Sequence, residues 1–364
     1  MMADLLKNTV ISLKQSLVYT LSLGDKELFH SNILGWLLEN HNDKGIQPIV
    51  KLFINDELEI ERVEREKNHF DLCVICHKKN NEADKHFVII ENKFKSLPDK
   101  KQLERYEVVC QEKKNKKDNY TFILFAPQDS LRVFEKNRPE NWQTVAYEDL
   151  CKALSETQFS LTSDDQKFRN EFLSSYKKLL ESLLKIISLV VATASEEISP
   201  YLVDKEVLNT LKEIRLHDVY QKLYASTVQK TLNINAGKDW KSNIYFMNGS
   251  ILKWTYIPDN SNIVYGVEIQ REKFCIFAET KDRTVLKQSE EKLSEYFESI
   301  LNEIFEEGRI NHKKDGRLNV YSKGIYKYQY AKIPANTTIK DLRKKIKIAM
   351  KRIETCYKKS TDYF

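Results

Sequence analysis

A short apolar run that ends abruptly in charged residues places the strongest constraint on the fold. In the segment FVIIENK, residues 87–90 are apolar and are followed at once by Glu91 and Lys93. Such a run is typical of a buried strand. Side chains two residues apart on a strand point to the same face, so Glu91 and Lys93 share one side of the sheet. The segment predicts a core strand that ends either at a solvated edge or at an assembled charged site.

A second carboxylate is predicted to lie beside this pair. Residues 71–76 and 86–93 have the pattern of two strands separated by a polar turn, which indicates a hairpin. If the turn is centred at Asn81, Asp71 lies directly opposite Glu91. Opposed residues of a hairpin share a face and have Cβ atoms ~5 Å apart. The register therefore predicts two carboxylates and one ammonium group in a small volume.

The chemistry of such a cluster favours a divalent cation. Two carboxylates this close repel each other unless a cation lies between them. Mg²⁺ favours one or two carboxylates together with water and phosphate oxygens. Lys93, on the same face, can stabilise charge on a phosphoryl group or orient an attacking water. The alternative is a simple salt bridge between Lys93 and either acid at the end of the sheet.

The remaining patterns predict an α/β domain at residues 1–195 and an α+β domain at residues 196–364. In the first we expect a helix at 26–40, strands at 57–66, 71–76 and 86–93, a helix at 99–113, a strand at 120–126 and a long amphipathic helix at 168–192. The segment TASEEISP, residues 193–200, is the predicted linker. In the second we expect helices at 203–230, 285–306 and 338–357, and strands near 243–256, 262–280 and 317–332.

The segments HFDLCVI, FVIIENKFKS and DKKQLERYE, in this helix–strand–strand–strand–helix–strand order, resemble the PD-(D/E)xK nuclease superfamily. The likeness is to its RecB-like and restriction-endonuclease-like members, and the specific motifs cover residues 27–106. The resemblance implies a restriction-endonuclease-like core in which Asp71 and Glu91 ligate Mg²⁺ or Mn²⁺ and Lys93 is the catalytic lysine. Phe70 stands where the family name has Pro.

Two further residue pairs follow from the same resemblance. Gln102 and Tyr106 resemble the Q-x-x-x-Y motif of the RecB-like branch, and as i and i+4 on a helix they share a face. There they can position Lys93 or a scissile phosphate, so both are candidate catalytic residues. Glu27 and His30, on the first helix, are implied as further metal ligands. The alternative is an acid that complements the helix dipole and a surface histidine.

The function implied is a metal-dependent nuclease, in which water activated by the metal attacks a phosphodiester. DNA is expected ahead of RNA, and a role in restriction or anti-phage defence is expected on the same family analogy. The alternative is a nucleic-acid-binding protein that keeps the nuclease fold without catalysis. A small-molecule metallohydrolase is disfavoured because the sequence has no H-E-x-x-H spacing.

The C-terminal segment is predicted to contact nucleic acid. Residues 309–364 contain sixteen Lys or Arg against four Asp or Glu, a net charge of +12, whereas the whole chain carries +6. Basic residues interleaved with tyrosines suit phosphate contact and base stacking. The candidate residues are Arg317, Lys323, Lys344, Lys345, Lys347 and Lys351. The alternative is that the lysines only form a solvated face.

Two other motifs are expected to be structural. Cys73-Val-Ile-Cys76-His77 has the spacing of a c-type haem attachment motif. Strand alternation places its two cysteines on opposite faces, so we expect core cysteines instead. Asp259 precedes Glu279-Thr-Lys281 by the separation of Asp71 from Glu91, but its hairpin would pair Glu279 with Val264 and leave Asp259 in a loop.

The cellular setting is predicted from what the sequence lacks. The N-terminus has no signal-peptide pattern, and the longest apolar run is too short for a membrane span. We therefore expect a cytoplasmic protein with reduced cysteines and no membrane partner. A homodimer is left open.

Overall fold

The computed structural model describes residues 2–22, 27–94, 96–113, 118–135, 138–160, 164–191, 205–235, 237–245, 251–258, 262–282, 284, 286, 290–311, 318–321 and 325–360. The chain forms two compact units, one of Met1–Val191 with Glu206–Leu223 and one of Ala192–Lys205 with Tyr224–Phe364. The linker predicted at 193–200 lies outside the described residues, and the domain boundary predicted at 195/196 stays a prediction. No described helix is long and apolar enough to cross a membrane.

The first unit is a mixed α/β structure. Its elements are α1 (Met2–Lys14), α2 (Leu17–Ser22), α3 (Glu27–Glu39), α4 (Gln47–Phe53), β1 (Leu58–Arg65), β2 (Leu72–Lys78), β3 (Asn81–Asn92), α5 (Lys100–Lys113), β4 (Asn119–Ala126), α6 (Gln128–Phe134), β5 (Trp142–Ala146), α7 (Tyr147–Glu156) and α8 (Asp164–Val191). The helices α9 (Lys205–Glu213) and α10 (His217–Leu232) follow. The predicted elements of this unit are present, and β5 is an additional strand.

The five strands lie in the order β1-β2-β3-β4-β5. The β1–β2 and β2–β3 pairs are antiparallel, whereas β3–β4 and β4–β5 are parallel. One face carries the aromatic and aliphatic side chains that pack on α5, among them Ile89, Leu124 and Trp142. Since Glu91 follows Ile89 by two residues, Glu91 points to this same face.

The hairpin has the predicted register but not the predicted turn. Cys73 pairs with Ile89 and Leu72 with Ile90, which continues to Asp71 opposite Glu91. The last residue pair before the turn, however, is Lys78 with Asn81, and the register shifts between His77 and Lys78. The turn centred at Asn81 was therefore wrong, and an irregularity near the end of the hairpin absorbs the difference.

The cysteines of the haem-like motif are core residues, as predicted. Cys73 is 6% exposed and Cys76 is fully buried. Burial raises the pKa of each thiol to about 12, so neither is a thiolate near neutral pH. Five cysteines are free and buried: Cys73, Cys76, Cys110, Cys151 and Cys275.

The second unit is an antiparallel sheet with helices, which agrees with the predicted α+β class. Its elements are β6 (Trp240–Tyr245), β7 (Ile251–Tyr256), β8 (Ile263–Gln270), β9 (Lys273–Thr280), α11 (Glu290–Ile304), β10 (Asn319–Tyr321), β11 (Tyr326–Lys332) and α12 (Ile339–Ser360). The strand order is β10-β11-β9-β8-β7-β6. The single helix predicted at 203–230 was wrong, because the chain breaks between α9 and α10 at Arg215, whose φ is 55°.

A close approach between β8 and β9 yields a prediction. A Cβ added at Gly266 would lie 2.5 Å from ring carbons of Phe277 and would also collide with the carbonyl oxygen of Trp254. Overpacking a well-packed core costs about 1–3 kcal/mol, so Gly266→Ala should lower the free energy of unfolding by that amount. Denaturant titration followed by fluorescence measures it.

The matched control is Gly308→Ala. A Cβ added at Gly308 meets no described atom within 4 Å. This variant should unfold at the parental midpoint or slightly above it. Equal midpoints for the two variants would contradict the close contact beneath Phe277.

Candidate active site

The Asp71, Glu91 and Lys93 side chains lie together at one end of the first sheet. The Nζ atom of Lys93 is 2.6 Å from Oε1 of Glu91. Oδ2 of Asp71 accepts a hydrogen bond of 2.7 Å from the backbone N–H of Asn92, between the other two. Glu91 is 2% exposed and Lys93 9% exposed. The strand therefore ends in a buried charged cluster rather than at a solvated edge.

Asn92 fixes the end of β3 from the opposite face. Its side-chain amide donates to the carbonyl oxygen of Glu27 and to the Ser31 hydroxyl, both at 2.9 Å. Its amide oxygen accepts a 2.6 Å bond from the Tyr147 hydroxyl. Sequence reasoning missed this residue, although a polar residue between Glu91 and Lys93 on a buried strand was the available signal. Asn92 ties β3 to α3 and α7 and so holds its two neighbours in place.

Gln102 and Tyr106 share a face of α5, as predicted, and that face contacts Glu91. Nε2 of Gln102 donates to Oε1 of Glu91 and to the Tyr106 hydroxyl, each at 2.8 Å. The Tyr106 hydroxyl in turn donates to the carbonyl oxygen of His69 at 2.7 Å. The described contacts thus connect the pair to Glu91 and to the chain before Asp71, rather than to Lys93. Their catalytic role stays a prediction.

The chain that leads into Asp71 has an unusual backbone. Glu66, Asn68 and His69 have φ values of 53°, 56° and 69°. Each non-glycine residue in this region costs of the order of 1 kcal/mol and persists only where the surroundings enforce it. The Tyr106 hydrogen bond to the His69 carbonyl is one such restraint.

Phe70 has a structural role at the position where the family name has Pro. Its backbone N–H donates to the carbonyl oxygen of Lys67 at 3.1 Å, a bond that proline cannot make. Its ring is 4% exposed and packs edge-on against Tyr106 with centroids 5.0 Å apart. The departure from the family pattern therefore leaves the position of Asp71 supported.

Glu27 and His30 lie on α3 but in different surroundings. Oε1 of Glu27 accepts from the backbone N–H and the hydroxyl of Ser96, at 2.9 and 2.8 Å. His30 is fully buried, stacks on Phe94 at 4.6 Å and has Nδ1 3.0 Å from the Tyr176 hydroxyl. Burial lowers the pKa of His30 to about 3, so the imidazole is neutral. The surface-histidine alternative was wrong.

The metal-ligand set is only partly assembled. Among the residues that the structure describes, no group of three or more His, Cys, Asp or Glu side chains is placed to hold a metal ion. The predicted ligands Asp71, Glu91, Glu27 and His30 are therefore not gathered into one group. The Asp71–Glu91 pair remains, and its suitability for a cation depends on its electrostatics.

Burial dominates the electrostatics of this pair. Burial raises the pKa of Glu91 to about 7; the Asp71 charge adds to this, and Lys93 opposes it. Burial also raises the pKa of Asp71, although the hydrogen bond from Asn92 acts against it. Burial works to lower the pKa of Lys93, but Glu91 outweighs it and the net shift is upward. Lys93 is therefore a cation, whereas the two carboxyls favour a shared proton or a bound cation.

The donor atoms fit a hard divalent cation. Oε1 of Glu91 is occupied by Lys93 and Gln102, but Oε2 is buried and has no hydrogen-bond partner among the described residues. An unsatisfied buried carboxylate oxygen is costly. Mg²⁺ and Mn²⁺ accept two protein carboxylates and complete their shells with water and phosphate oxygens. The pair therefore suits such an ion better than a closed cage of protein ligands.

The basic residues predicted to bind nucleic acid differ in their exposure to solvent. Lys344, Lys347 and Lys351 are exposed on α12. Nζ of Lys345 instead donates to the carbonyl oxygen of Ile304 at 2.7 Å and lies 4.4 Å from the Phe305 ring centroid. Arg317 and Lys323 lie outside the described residues.

The competing motif of the second unit has the predicted pairing. Glu279 pairs with Val264, and its carboxylate forms a 2.8 Å ion pair with Lys253. Asp259 lies outside the described residues. Lys281 is exposed.

Fold and site together define the first unit as an α/β domain with an acidic, lysine-containing cluster at the end of its sheet. Residues 17–178 match a family model of the PD-(D/E)XK nuclease superfamily. The resemblance predicted from the motifs is confirmed, and members of the superfamily are generally nucleases. Neither a curated protein nor a solved structure matches the chain.

The raised pKa of Glu91 predicts a pH-dependent stability of the metal-free protein. The folded state holds this proton up to about pH 7, whereas an unfolded glutamate loses it near its ordinary pKa of 4.5. The contribution of Glu91 is therefore fully present below about pH 4.5 and is lost as the pH rises through 7. Glu91→Gln, which mimics the protonated form, should match the parent at low pH and exceed it at about pH 8 by one to a few kcal/mol.

Urea unfolding of both proteins with a chelator present measures this difference. His30 acts in the opposite direction, because its pKa is lowered and its contribution is lost as the pH falls. The contribution of His30 is common to both proteins and cancels in the comparison. A stability difference that does not change with pH would contradict the assignment.

Proposed function

We propose that this protein is a metal-dependent nuclease that hydrolyses phosphodiester bonds, with DNA as its substrate. The observation that carries the proposal is the carboxylate of Glu91, which is buried, saturated at Oε1 and unsatisfied at Oε2 among the described residues. A purely structural salt bridge with Lys93 does not explain why Oε2 of Glu91 is buried beside Asp71. Family analogy supports DNA over RNA and a part in restriction or anti-phage defence.

Each residue of the cluster has a distinct role in the proposal. Asp71 and Glu91 hold Mg²⁺ or Mn²⁺, which supplies Lewis acidity for the hydrolysis. Lys93 stays protonated and stabilises the charge that develops on the phosphoryl oxygens. Gln102 donates to Oε1 of Glu91 and so leaves Oε2 as the oxygen that would be available to a cation. Tyr106 acts through the His69 carbonyl and positions the segment that carries Asp71.

Removing either acid should abolish cleavage without unfolding the protein. Asp71→Asn and Glu91→Gln keep the side-chain shape but remove a ligand charge. Each should lower the cleavage rate of plasmid DNA in Mg²⁺ or Mn²⁺ by at least about 100-fold, since Lewis acidity contributes several kcal/mol. The matched control is Glu59→Gln on β1, which removes an exposed carboxylate and should cut at the parental rate.

An opposite outcome would favour the non-catalytic alternative. If the parent binds DNA but cleaves neither circular nor linear DNA with either metal, the fold serves binding alone. If the acid variants cut at the parental rate, the site is elsewhere. Cleavage of circular DNA would identify an endonuclease.

Lys93 is expected to separate catalysis from metal binding. Lys93→Ala should lose cleavage but keep thermal stabilisation by Mg²⁺ or Mn²⁺ at about pH 8, because an ion bound only by the folded state raises its stability. Glu91→Gln should lose both. Lys281→Ala, which alters the lysine of the competing motif, should lose neither. Equal loss of metal stabilisation in the Lys93 and Glu91 variants would contradict the separate roles.

A further inference from the structure

The sheet of the second unit has one face that packs on helices α11 and α12, and its other face carries no helix among the residues that the structure describes. Along β11, Lys327, Gln329 and Ala331 are buried, and Lys327 forms an ion pair with Glu290 of α11. On the same side, Ile346 and Met350 of α12 are buried, as predicted. The alternate residues of β11 therefore point to the opposite face. Three of these residues are half-buried tyrosines, and the fourth is the exposed Lys332.

Four tyrosines share this face and are called here the tyrosine face: Tyr321, Tyr326, Tyr328 and Tyr330. Tyr321 pairs with Tyr326 across β10 and β11, so it lies on the same side. Tyr321 is 65% exposed. Tyr328 and Tyr330 have ring centroids 6.3 Å apart and an interplanar angle of 26°. Their rings are thus nearly parallel and spaced along one strand.

Tyr326 forms the fixed base of this face. Its ring stacks on the buried Phe277 at 5.0 Å with an angle of 16°, and its hydroxyl donates to Glu268 at 2.7 Å. Nζ of Lys253 lies 4.3 Å from the centroid of Phe277 and 5.0 Å from that of Tyr326. Tyr326 is therefore held by contacts within the unit. The outer rings of the tyrosine face are those of Tyr321, Tyr328 and Tyr330.

One end of the tyrosine face is cationic. Lys332 on β11 pairs directly with Lys273 on β9, and Nζ of Lys273 lies 4.5 Å from the centroid of Tyr330. Like charges directly opposite each other on a sheet are destabilising, and an anion between them relieves the repulsion. At the other end, Glu279 is neutralised by Lys253. A phosphate is therefore favoured at the Lys273–Lys332 end, beside an aromatic surface.

We propose that the tyrosine face binds a single strand of DNA, with unpaired bases on Tyr328 and Tyr330 and a phosphate between Lys273 and Lys332. The inference rests on the proposed function, which makes DNA the substrate. Aromatic side chains stack on unpaired bases of any sequence, and lysines follow the backbone. A duplex is excluded from this mode because its bases already stack on one another. Because α12 packs on the opposite face of the sheet, its exposed lysines lie on the other side of the sheet from the tyrosine face.

Binding is tested with the full chain and a labelled oligothymidylate of about 15 nucleotides. A chelator prevents cleavage, and fluorescence anisotropy gives the dissociation constant. Tyr328→Leu and Tyr330→Leu should each weaken binding about five-fold or more, because stacking on one base contributes that much. Tyr328→Phe and Tyr330→Phe keep the ring and should bind as the parent does. Equal binding by the Leu and Phe variants would overturn the proposal, as would equal affinity for a duplex of the same length.

The lysine pair is tested through the salt dependence of binding. Lys273→Gln combined with Lys332→Gln should reduce the slope of log K against log salt by about 0.7 for each lost phosphate contact. The matched control removes two exposed charges from α8, through Lys167→Gln with Lys178→Gln, and should leave the slope unchanged. An equal loss of slope in this control, or an unchanged slope in the Lys273 and Lys332 variant, would overturn the proposal.

Two checks keep these outcomes interpretable. Tyr321→Ser alters a ring that is 65% exposed, so the fold should survive even if the inner tyrosine variants unfold. Tyr321→Ser should still weaken binding, because Tyr321 is one of the outer rings of the tyrosine face. The proposal is overturned if binding is unchanged both in this variant and in Leu variants that remain folded. Failure here is distinct from failure of the nuclease assignment, since oligothymidylate binding is measured without metal, whereas the nuclease assignment is tested by metal-dependent cleavage.

Discussion

The first unit depends on the burial of one carboxylate. Glu91 lies at the end of β3 with 2% of its surface exposed, and a buried charge is tolerated only where it is paired and hydrogen-bonded. Lys93 reaches it through the two-residue period of the strand, and Gln102 reaches it from α5. Both bind the same oxygen. The protein therefore satisfies one oxygen of the carboxylate and leaves the other buried without a hydrogen-bond partner among the described residues.

The parts of this site that follow from short-range rules were predictable. The alternation of a strand places Glu91 and Lys93 together, and the hairpin register brings Asp71 opposite Glu91, as the Cys73–Ile89 pair confirms. The helical i, i+4 spacing places Gln102 and Tyr106 on one face. None of these relations depends on where distant elements pack. For the same reason, the order of strands and helices in the first unit could be predicted although β5 was missed.

The features that depend on tertiary packing were not predictable. Asn and His tolerate the left-handed conformation better than most residues, but nothing in the sequence marks Asn68 and His69 as adopting it. Tyr106 from α5 restrains this segment through the His69 carbonyl. His30 was predicted as a metal ligand, with a surface histidine as the alternative, but Phe94 and Tyr176 enclose it. Lys345 resembled its exposed neighbours, yet it binds the carbonyl of Ile304. In each case a residue distant in sequence decides the outcome.

The two Glu-x-Lys segments show how context rather than motif decides chemistry. In both segments the glutamate and the lysine are two residues apart. Only Glu91 and Lys93 are buried against each other and beside a second acid. Glu279 instead pairs with Lys253 from another strand, which neutralises it, and Lys281 is exposed. Register contributes to this difference, because the β2–β3 pairing continues from Leu72 and Ile90 toward Asp71 and Glu91, whereas the apolar Val264 stands opposite Glu279.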